Sequence, residues 1–279
     1  MPELPEVERA RRIIETVVLG RTIDKVWCDT TDDIVFAGVS GRTVARTLKG
    51  RQVLAIKRRG KQLWFELDER PWPLFHLGMT GQFVTPQAGP LRLVSSAKDL
   101  KHAWPPRFLK IRLWLSDGGE LAMTNARRLG RIRLQEDPES EAPISKLGFD
   151  PLYNMPTRAD FSAKLMRRKG VLKAVLLDQG FAAGVGNWIA DEVLYQAGVD
   201  PRRRGTSLSD AEAGRIHAKL RAVIRRACEV DADKDRLPRS WLFHDRWGKA
   251  ENATTSRGDP IEHVSIAGRT TAWVPSRQK

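Results

Sequence analysis

The chain has 279 residues, a formal net charge of +14 and nine tryptophans, and 41% of its residues are hydrophobic. This length and apolar content predict a folded protein with two domains, and they exclude a disordered chain. The sequence has no apolar run of 18 residues and no basic start followed by an apolar segment. We therefore expect neither a membrane-spanning helix nor a secretory signal. The large positive charge favours a polyanionic partner, most commonly nucleic acid.

The cysteines and histidines bear on metal binding and on redox compartment. The sequence contains two distant cysteines, Cys28 and Cys228, and five scattered histidines without metal-ligand spacing. Two such cysteines can build neither a disulfide framework nor a cysteine-rich zinc site. We therefore expect no metal site built from these residues and a reducing compartment.

The chain opens with MPELPEVE, and residues 3–19 carry apolar side chains at helical spacing, with Pro5 in the first turn. Removal of the initiator methionine before the small Pro2 would expose a secondary amine. An α-amino group has a reference pKa of about 7.7–8.0, against about 10.4 for lysine, so it is the more available nucleophile at neutral pH. Glu3 and Glu6 could then carry protons. A helix start without chemical function is the open alternative.

From residue 22 to residue 135 the apolar period changes to two, which predicts a β-rich sandwich with one leading helix. Hairpins are expected around Arg59-Gly60 and around residues 117–119. Lys61 follows the tip of the first hairpin, where a lysine reaches outward and suits a phosphate. A solvated basic loop is the alternative interpretation of this stretch.

Two loops that follow strands, residues 75–81 and 124–134, combine apolar and cationic side chains. Met79 lies beside glycines in the first loop, and Arg127 and Leu129 lie in the second. Enzymes that act on a base within a duplex extrude it, and apolar wedges and arginines fill the space left behind. A core methionine and an exposed basic turn would produce the same pattern.

Residues 136–157 are rich in Pro, Glu and Ser and are predicted to link two domains, after which helical patterns take over. One helix is opened by GVGN, where Asn187 could cap the helix or donate to a phosphate. A tight turn between helices is the alternative. Residues 240–279 lose the helical period and predict a terminal β-hairpin that turns at Ala267-Gly268.

Taken together, MPELPEVE, RRGK, HLGMTG, ARRLGRIRL and the stretch from DQG to GVGNWIADEVLYQA resemble, in order, the motifs of the formamidopyrimidine-DNA glycosylase/endonuclease VIII family. The resemblance covers nearly the whole chain and implies an α+β multidomain fold. It implies an N-terminal β-sandwich with a catalytic N-terminal helix at 1–150, a helix–two-turn–helix (H2TH) DNA-binding domain at 151–239 and a finger hairpin at 240–279.

The finger departs from the commonest family pattern, which has four zinc-binding cysteines. Arg257 and Val274 stand where cysteines would be expected, so the chain resembles the zincless-finger branch of plants and fungi. Such a hairpin would be held by packing, through residues such as Ile261, Val264, Ile266 and Trp273.

The resemblance also implies roles for single residues. Pro2 would be the Schiff-base nucleophile, Glu3 the proton donor to the opening sugar, Glu6 a supporting acid and Lys61 a lysine that contacts the phosphate and assists catalysis. The residues expected to bind DNA are His76 and Asn187 at phosphates, Met79, Arg127 and Leu129 as a wedge, and Arg269 in the finger.

The function implied is that of a bifunctional DNA glycosylase/AP lyase in base excision repair. It would act as a monomer on double-stranded DNA that contains oxidised bases or abasic sites, and would nick the strand by β,δ-elimination. Residues 229–241 leave little room for a loop over 8-oxoguanine, so formamidopyrimidines and further-oxidised guanines are the expected substrates. An endonuclease VIII-like enzyme for oxidised pyrimidines and a non-catalytic damaged-DNA-binding protein are the alternatives. The expected location is the nucleus if the chain is eukaryotic, which the plant- and fungus-like motifs favour, and otherwise the cytoplasm.

Overall fold

The computed structural model describes residues 1–86, 104–247 and 252–279, which form two compact units, Met1–Lys146 and Leu147–Lys279. The three-part division at residues 150 and 239 stays a prediction, and residues 248–251 of the expected finger lie outside the described part. Within the described ranges, no helix has the length and apolarity needed to cross a membrane.

The described residues of the first unit form two α-helices and two four-stranded antiparallel sheets, with strand orders β1-β6-β7-β5 and β2-β3-β4-β8. Side chains from both sheets share one core, in which the ring of Phe75 lies 5.0 Å from Phe65 and 5.3 Å from Phe83. The predicted β-sandwich is confirmed. Its elements are α1 (Leu4–Val18), β1 (Ile23–Cys28), α2 (Gly41–Leu48), β2 (Val53–Arg59), β3 (Gln62–Leu67), β4 (Trp72–His76), β5 (Gln82–Val84), β6 (Leu109–Leu115), β7 (Glu120–Thr124) and β8 (Arg131–Gln135).

The leading helix and both hairpins form where the sequence places them. Helix α1 has Pro5 in its first turn and buries Val7, Ile14 and Val18 against the core. The β2–β3 hairpin turns at Gly60, with φ +57°, and the β6–β7 hairpin turns at residues 117–119. Glycine takes a positive φ without strain, which is why these turns are tight.

The expectation of a single helix in this half is wrong, because α2 follows β1. Ser40 caps it, with its Oγ accepting from the backbone N–H of Thr43 at 3.0 Å. Val44 and Leu48 lie one turn apart and are both buried. The cap and this apolar stripe stabilise eight residues as a helix, although β-branched residues in the segment resemble a strand pattern.

The second unit contains four α-helices and a hairpin within its described residues. Helix α6 starts at a capping box, in which Ser209 N–H donates to Glu212 at 2.8 Å. The hairpin turns at Ala267 and Gly268, with φ +51° and +69°, as predicted. The elements are α3 (Arg158–Met166), α4 (Leu172–Leu177), α5 (Asn187–Ala197), α6 (Asp210–Glu229), β9 (Glu262–Ile266) and β10 (Arg269–Trp273).

Candidate active site and DNA-binding residues

The start of α1 gathers buried carboxyl groups beside Pro2. Pro2 is buried, and Glu3 and Glu6 are 3% and 8% exposed. Glu3 is the N-cap residue, and its backbone N–H donates to Glu6 Oε2 at 3.0 Å. This hydrogen bond is the acidic half of a capping box, so the folding of the helix itself fixes both side chains next to Pro2.

The Glu6 carboxyl has an unusual acidity. Burial, followed by the charge of Glu3, raises the pKa of Glu6 to about 7. A carboxyl group with this pKa exchanges its proton near neutral pH, where an ordinary glutamate is fully ionised. The helix start therefore carries a group able to take part in proton transfer or charge stabilisation at physiological pH.

A buried ion pair links α1 to the hairpin that carries Lys61. Arg58 Nε lies 2.8 Å from Glu8 Oε2, and the two side chains are 0% and 2% exposed. Arg58 Nη1 also donates to the carbonyl of Gly60 at 3.0 Å, directly before Lys61. Lys61 is 9% exposed, so the expectation that it reaches outward from the hairpin tip is wrong. Neither Glu8 nor Arg58 was predicted to have a role, because their pairing spans 50 residues and leaves no local signal.

His76 ends β4 and pairs with Gln62, the residue after Lys61, across the β3–β4 ladder. Burial, followed by the positive charge of Lys61 and of two arginines in β8, lowers the pKa of His76 to about 4. Its Nδ1 lies 3.2 Å from the backbone N–H of Gly78 and accepts from it. The ring is therefore neutral at physiological pH, and any phosphate contact by His76 would be a hydrogen bond from Nε2.

The three predicted wedge residues lie on two loops that are joined through Asn125, a fully buried side chain. Its Nδ2 donates to the carbonyl of Leu77 at 3.1 Å, and its Oδ1 accepts from Leu129 N–H at 3.0 Å. The Met79 loop and the loop of Arg127 and Leu129 thus form one structure. Leu129 is 42% exposed, as an inserting side chain requires.

Gly78 allows the close approach of these loops. It has φ +62°, and a Cβ placed there would lie 2.4 Å from the carbonyl oxygen of Leu129. A side chain at Gly78 would therefore push the two loops apart.

Arg128 adds a second attachment that the sequence did not indicate. It has φ +52°, and its Nη2 lies 3.0 Å from Oδ1 of Asp32, a buried carboxylate that also pairs with Lys110 at 2.6 Å. Although burial opposes it, hydrogen bonds from Arg128 and Lys110 hold the pKa of Asp32 at about 2. The ionised Asp32 carboxylate therefore holds the Arg128 side chain, and it anchors the loop that carries Arg127 and Leu129.

In the second unit, Asn187 is the first residue of α5, and Gly186 takes the N-cap position. The Asn187 side chain does not cap the helix but donates from Nδ2 to the carbonyl of Thr270 at 2.9 Å. Arg269, which precedes Thr270, opens β10 and is exposed. The structure therefore brings two of the predicted DNA-binding residues, Asn187 and Arg269, to one region of this unit.

Apolar packing occupies the position where a metal-binding cysteine would be expected. Val274 is fully buried and packs in one cluster with Ile261, Tyr195 and Leu242. Ile266 and Trp273 are also buried, whereas Val264 is half-buried. Among the residues that the structure describes, no group of three or more His, Cys, Asp or Glu side chains could hold a metal ion.

Both units match domain models of the same class of enzyme. Residues 1–132 match the model of the formamidopyrimidine-DNA glycosylase N-terminal domain, and residues 147–238 match the H2TH domain of the same enzymes. The two units thus have the architecture of a DNA repair glycosylase.

Individual proteins similar to the chain belong to the same class of enzyme. A formamidopyrimidine-DNA glycosylase of Arabidopsis thaliana is 41% identical over the whole chain and 71% of its own length, and one of Heliobacterium modesticaldum is 32% identical over the whole of both. A structure of MutM in complex with carbocyclic 8-oxo-G containing DNA superposes with a TM-score of 0.79, at 26% identity and 100% coverage of both chains. The chain belongs to the formamidopyrimidine-DNA glycosylase family, whose members are glycosylases and AP lyases.

Proposed function

We propose that this glycosylase removes formamidopyrimidines and further-oxidised guanines from double-stranded DNA through an imine at Pro2, and then nicks the strand. The observation that carries the proposal is the junction at the start of α1. Two buried carboxyl groups, Glu3 and Glu6, follow Pro2 in the chain, and the Glu8–Arg58 pair connects this helix start to the turn before Lys61. This junction supports the proposal because the side chains proposed as nucleophile, acid–base groups and cation lie on elements that the ion pair connects.

Removal of Met1 would make Pro2 a secondary amine with a lone pair. Its nitrogen attacks C1′ of the flipped nucleotide, the bond from C1′ to the base breaks, and the base leaves with a proton. Glu3 then protonates O4′ as the sugar ring opens, which leaves a cationic imine on Pro2. Ionised Glu6 stabilises that positive charge.

The imine makes the C2′ proton acidic, so its removal expels the 3′ phosphate, and a second elimination expels the 5′ phosphate. Lys61 suits the lesion phosphate, since it lies at a hairpin turn after Arg58 and Arg59. Hydrolysis of the remaining imine returns the free amine. The products are the free base, the sugar fragment as an unsaturated aldehyde and a one-nucleotide gap with phosphate ends, and the enzyme is regenerated once Glu3 has regained the proton that it gave to O4′.

The lesion preference rests on the segment between α6 and the finger. Residues 230–241 form short turns in which Leu237 and Trp241 are buried. A segment anchored in this way offers little free chain to close over 8-oxoguanine. We also propose that the enzyme acts as a monomer with a zincless finger, in which packing around Val274 replaces metal ligation.

The test is borohydride trapping on four matched duplexes that contain formamidopyrimidine-guanine, 8-oxoguanine, thymine glycol or no lesion. We expect a covalent adduct that maps to Pro2 and faster excision of the formamidopyrimidine than of 8-oxoguanine, with or without EDTA. Equal rates on the two purines would refute the lesion preference, and faster removal of thymine glycol would favour the pyrimidine enzyme. If protein whose mass shows that Met1 is absent binds the damaged duplex but gives neither adduct nor free base, the chain is a non-catalytic binding protein.

A further inference from the structure

We propose that Asp191 is a positioning residue that fastens the finger hairpin to helix α5 and so holds Arg269 in place for DNA. The part that concerns DNA rests on the proposed function. The part that concerns the hairpin rests on contacts within the second unit.

Asp191 is 1% exposed and accepts hydrogen bonds from three separate segments of the chain. One carboxylate oxygen, Oδ1, pairs with Lys173 Nζ from α4. The other, Oδ2, lies 2.5 Å from Arg246 Nη2 and 3.3 Å from the backbone N–H of Ala272 in β10. A single buried carboxylate thus connects the H2TH helices to the finger strand.

The geometry of α5 matches that of β10. Asn187 and Asp191 lie four residues apart on one helix face, which corresponds to about 6 Å of rise. Thr270 and Ala272 lie two residues apart on one edge of the strand, or about 6.6 Å. The Asn187–Thr270 and Asp191–Ala272 hydrogen bonds therefore form two matched attachments, and α5 covers the strand edge that β9 leaves unpaired.

Lys173 and Arg246 each make a further contact that connects Asp191 to its neighbours. Lys173 Nζ also donates to the backbone carbonyl of Asn187 at 2.8 Å, so it holds the first residue of α5 directly. The carbonyl of Arg246 lies 3.3 Å from Nε2 of His263, which faces Ala272 across the hairpin. Arg246 therefore contacts α5 and β9, and Asp191 forms ion pairs with both Lys173 and Arg246.

Loss of the Asp191 charge would remove the carboxylate that the buried Lys173 and Arg246 side chains share. The side chains of Lys173 and Arg246 are 0% and 5% exposed, so water cannot replace the carboxylate. The expected relief is movement of the segment that contains Arg246 and of β10, which carries Arg269. Asp191 would then affect DNA binding without touching DNA.

The experiment compares the full chain with Asp191→Asn, which keeps the side-chain shape but removes the charge. The matched control is Glu212→Gln, which breaks a different ion pair of the same unit, between Glu212 and Arg203. Hydrogen exchange reports hairpin attachment, and binding to a duplex with an abasic-site analogue is measured at several salt concentrations. A double variant, Asp191→Asn with Arg269→Ala, tests whether the effect passes through the finger.

We expect Asp191→Asn to speed amide exchange in β9 and β10 while α6 keeps its protection. DNA affinity should fall about tenfold, and the slope of log affinity against log salt should decrease by about one phosphate contact. In the Arg269→Ala background the same change should weaken binding by less than about twofold, because the finger contact is already lost. Glu212→Gln should leave hairpin exchange and the salt slope unchanged.

The proposal would be overturned if folded Asp191→Asn kept the amide protection of the hairpin and the salt slope of wild type. It would also be overturned if the affinity losses of the two single variants multiplied in the double variant. If Asp191→Asn does not fold, Arg246→Met and Arg246→Lys take its place. Arg246→Met should free the hairpin and Arg246→Lys should restore much of its protection, whereas equal protection in both variants would overturn the proposal. If the wild-type chain binds no damaged DNA, the proposed function fails, and hydrogen exchange still decides whether Asp191 fastens the hairpin.

Discussion

Helices α1 and α5 begin with opposite electrostatic arrangements. In α1 the first turn is occupied by the protein's own carboxyl groups, with Glu3 as N-cap and Glu6 accepting its backbone N–H. In α5 the N-cap is Gly186, and the first turn contains no acidic side chain. Both helix starts attract negative charge, but only α5 leaves that attraction available to an external anion.

The difference shows how one local structure serves two purposes. Burial of two carboxyl groups at α1 raises the pKa of Glu6 toward neutrality, which suits a group that transfers protons. A glycine-rich start at α5 lets a phosphate approach the backbone and the Asn187 amide. From this contrast we expect the covalent chemistry in the first unit and a phosphate-binding site at α5 in the second, and four experiments test this expectation.

The largest effect is expected from Pro2→Leu, in which the bulky second residue should keep Met1 in place. The α-amine then belongs to Met1 and no longer lies at the position of the Pro2 nitrogen, so imine formation and strand cleavage should fall on the order of 10³-fold or more. Affinity for a duplex with an abasic-site analogue should stay within about threefold, since the α5 site is intact. Gel-based cleavage and a binding titration measure the two quantities, and an equal loss in both would break the separation of roles.

The second effect concerns the attachment of α1. Arg58→Leu removes the fully buried partner of Glu8 and leaves the more exposed Arg11 and Arg12 beside this carboxylate, so we expect the free energy of unfolding to fall by about 2–4 kcal/mol. The control is Arg21→Leu, whose ion pair with Asp117 is largely exposed and should change stability by less than about 1 kcal/mol. Urea denaturation compares the two variants. Similar losses would show that the Glu8–Arg58 pair does not fix α1 to the Lys61 hairpin.

The third effect is a pH dependence from Glu6, which is protonated below its pKa of about 7 and ionised above it. If the ionised form stabilises the imine, the single-turnover rate rises with pH through 7, and Glu6→Gln removes that rise and slows the reaction about 10²-fold at pH 8. The rise from the Pro2 amine should remain in the variant.

Stability provides the control for Glu6→Gln. Because the folded-state pKa of Glu6 is raised, the folded protein binds more protons between about pH 4.5 and 7, and this carboxyl favours folding less as the pH increases. Glutamine keeps the capping hydrogen bond without the charge, so the variant should gain stability over wild type as the pH rises through 7. If the single-turnover rate of Glu6→Gln depended on pH in the same way as that of wild type, Glu6 would have no role in the reaction.

The smallest effect is expected from Asn187→Ala at α5. Loss of one phosphate contact should weaken binding about tenfold and reduce the salt slope by about one, with little change in the rate at saturating enzyme. Binding titrations over a salt series and single-turnover kinetics separate the two. A large fall in the saturated rate would show that α5 contributes to the chemistry as well as to binding.

Local patterns in the sequence predicted most of the local structure. The α1 start, both hairpins of the first unit, the helices of the second and the Ala267–Gly268 turn were all predicted from spacing and turn residues. Helix α2 was missed because its stripe is short and depends on the Ser40 cap. The proposed roles of single residues stay predictions.

The supporting pairs could not be predicted, because each joins residues far apart in the chain. Glu8 meets Arg58, Asp32 meets Arg128, and Asp191 meets Arg246 only after the strands and helices have packed. Arginine and aspartate are common in a basic chain of this size, so neither type nor spacing distinguishes these residues from solvated ones. The chemistry-bearing residues have local motifs, whereas the residues that hold them do not.

The distribution of sulfur has a consequence for a protein that would work where oxidants damage DNA. Residues 240–279 contain neither cysteine nor methionine, so the finger has no sulfur to oxidise. Cys228 is buried, and burial followed by the charge of Asp29 raises the pKa of Cys28 to about 12, so its reactive thiolate is scarce at neutral pH. Peroxide that inactivates zinc–thiolate fingers should leave this one working, so repair capacity would persist during the stress that creates its substrates.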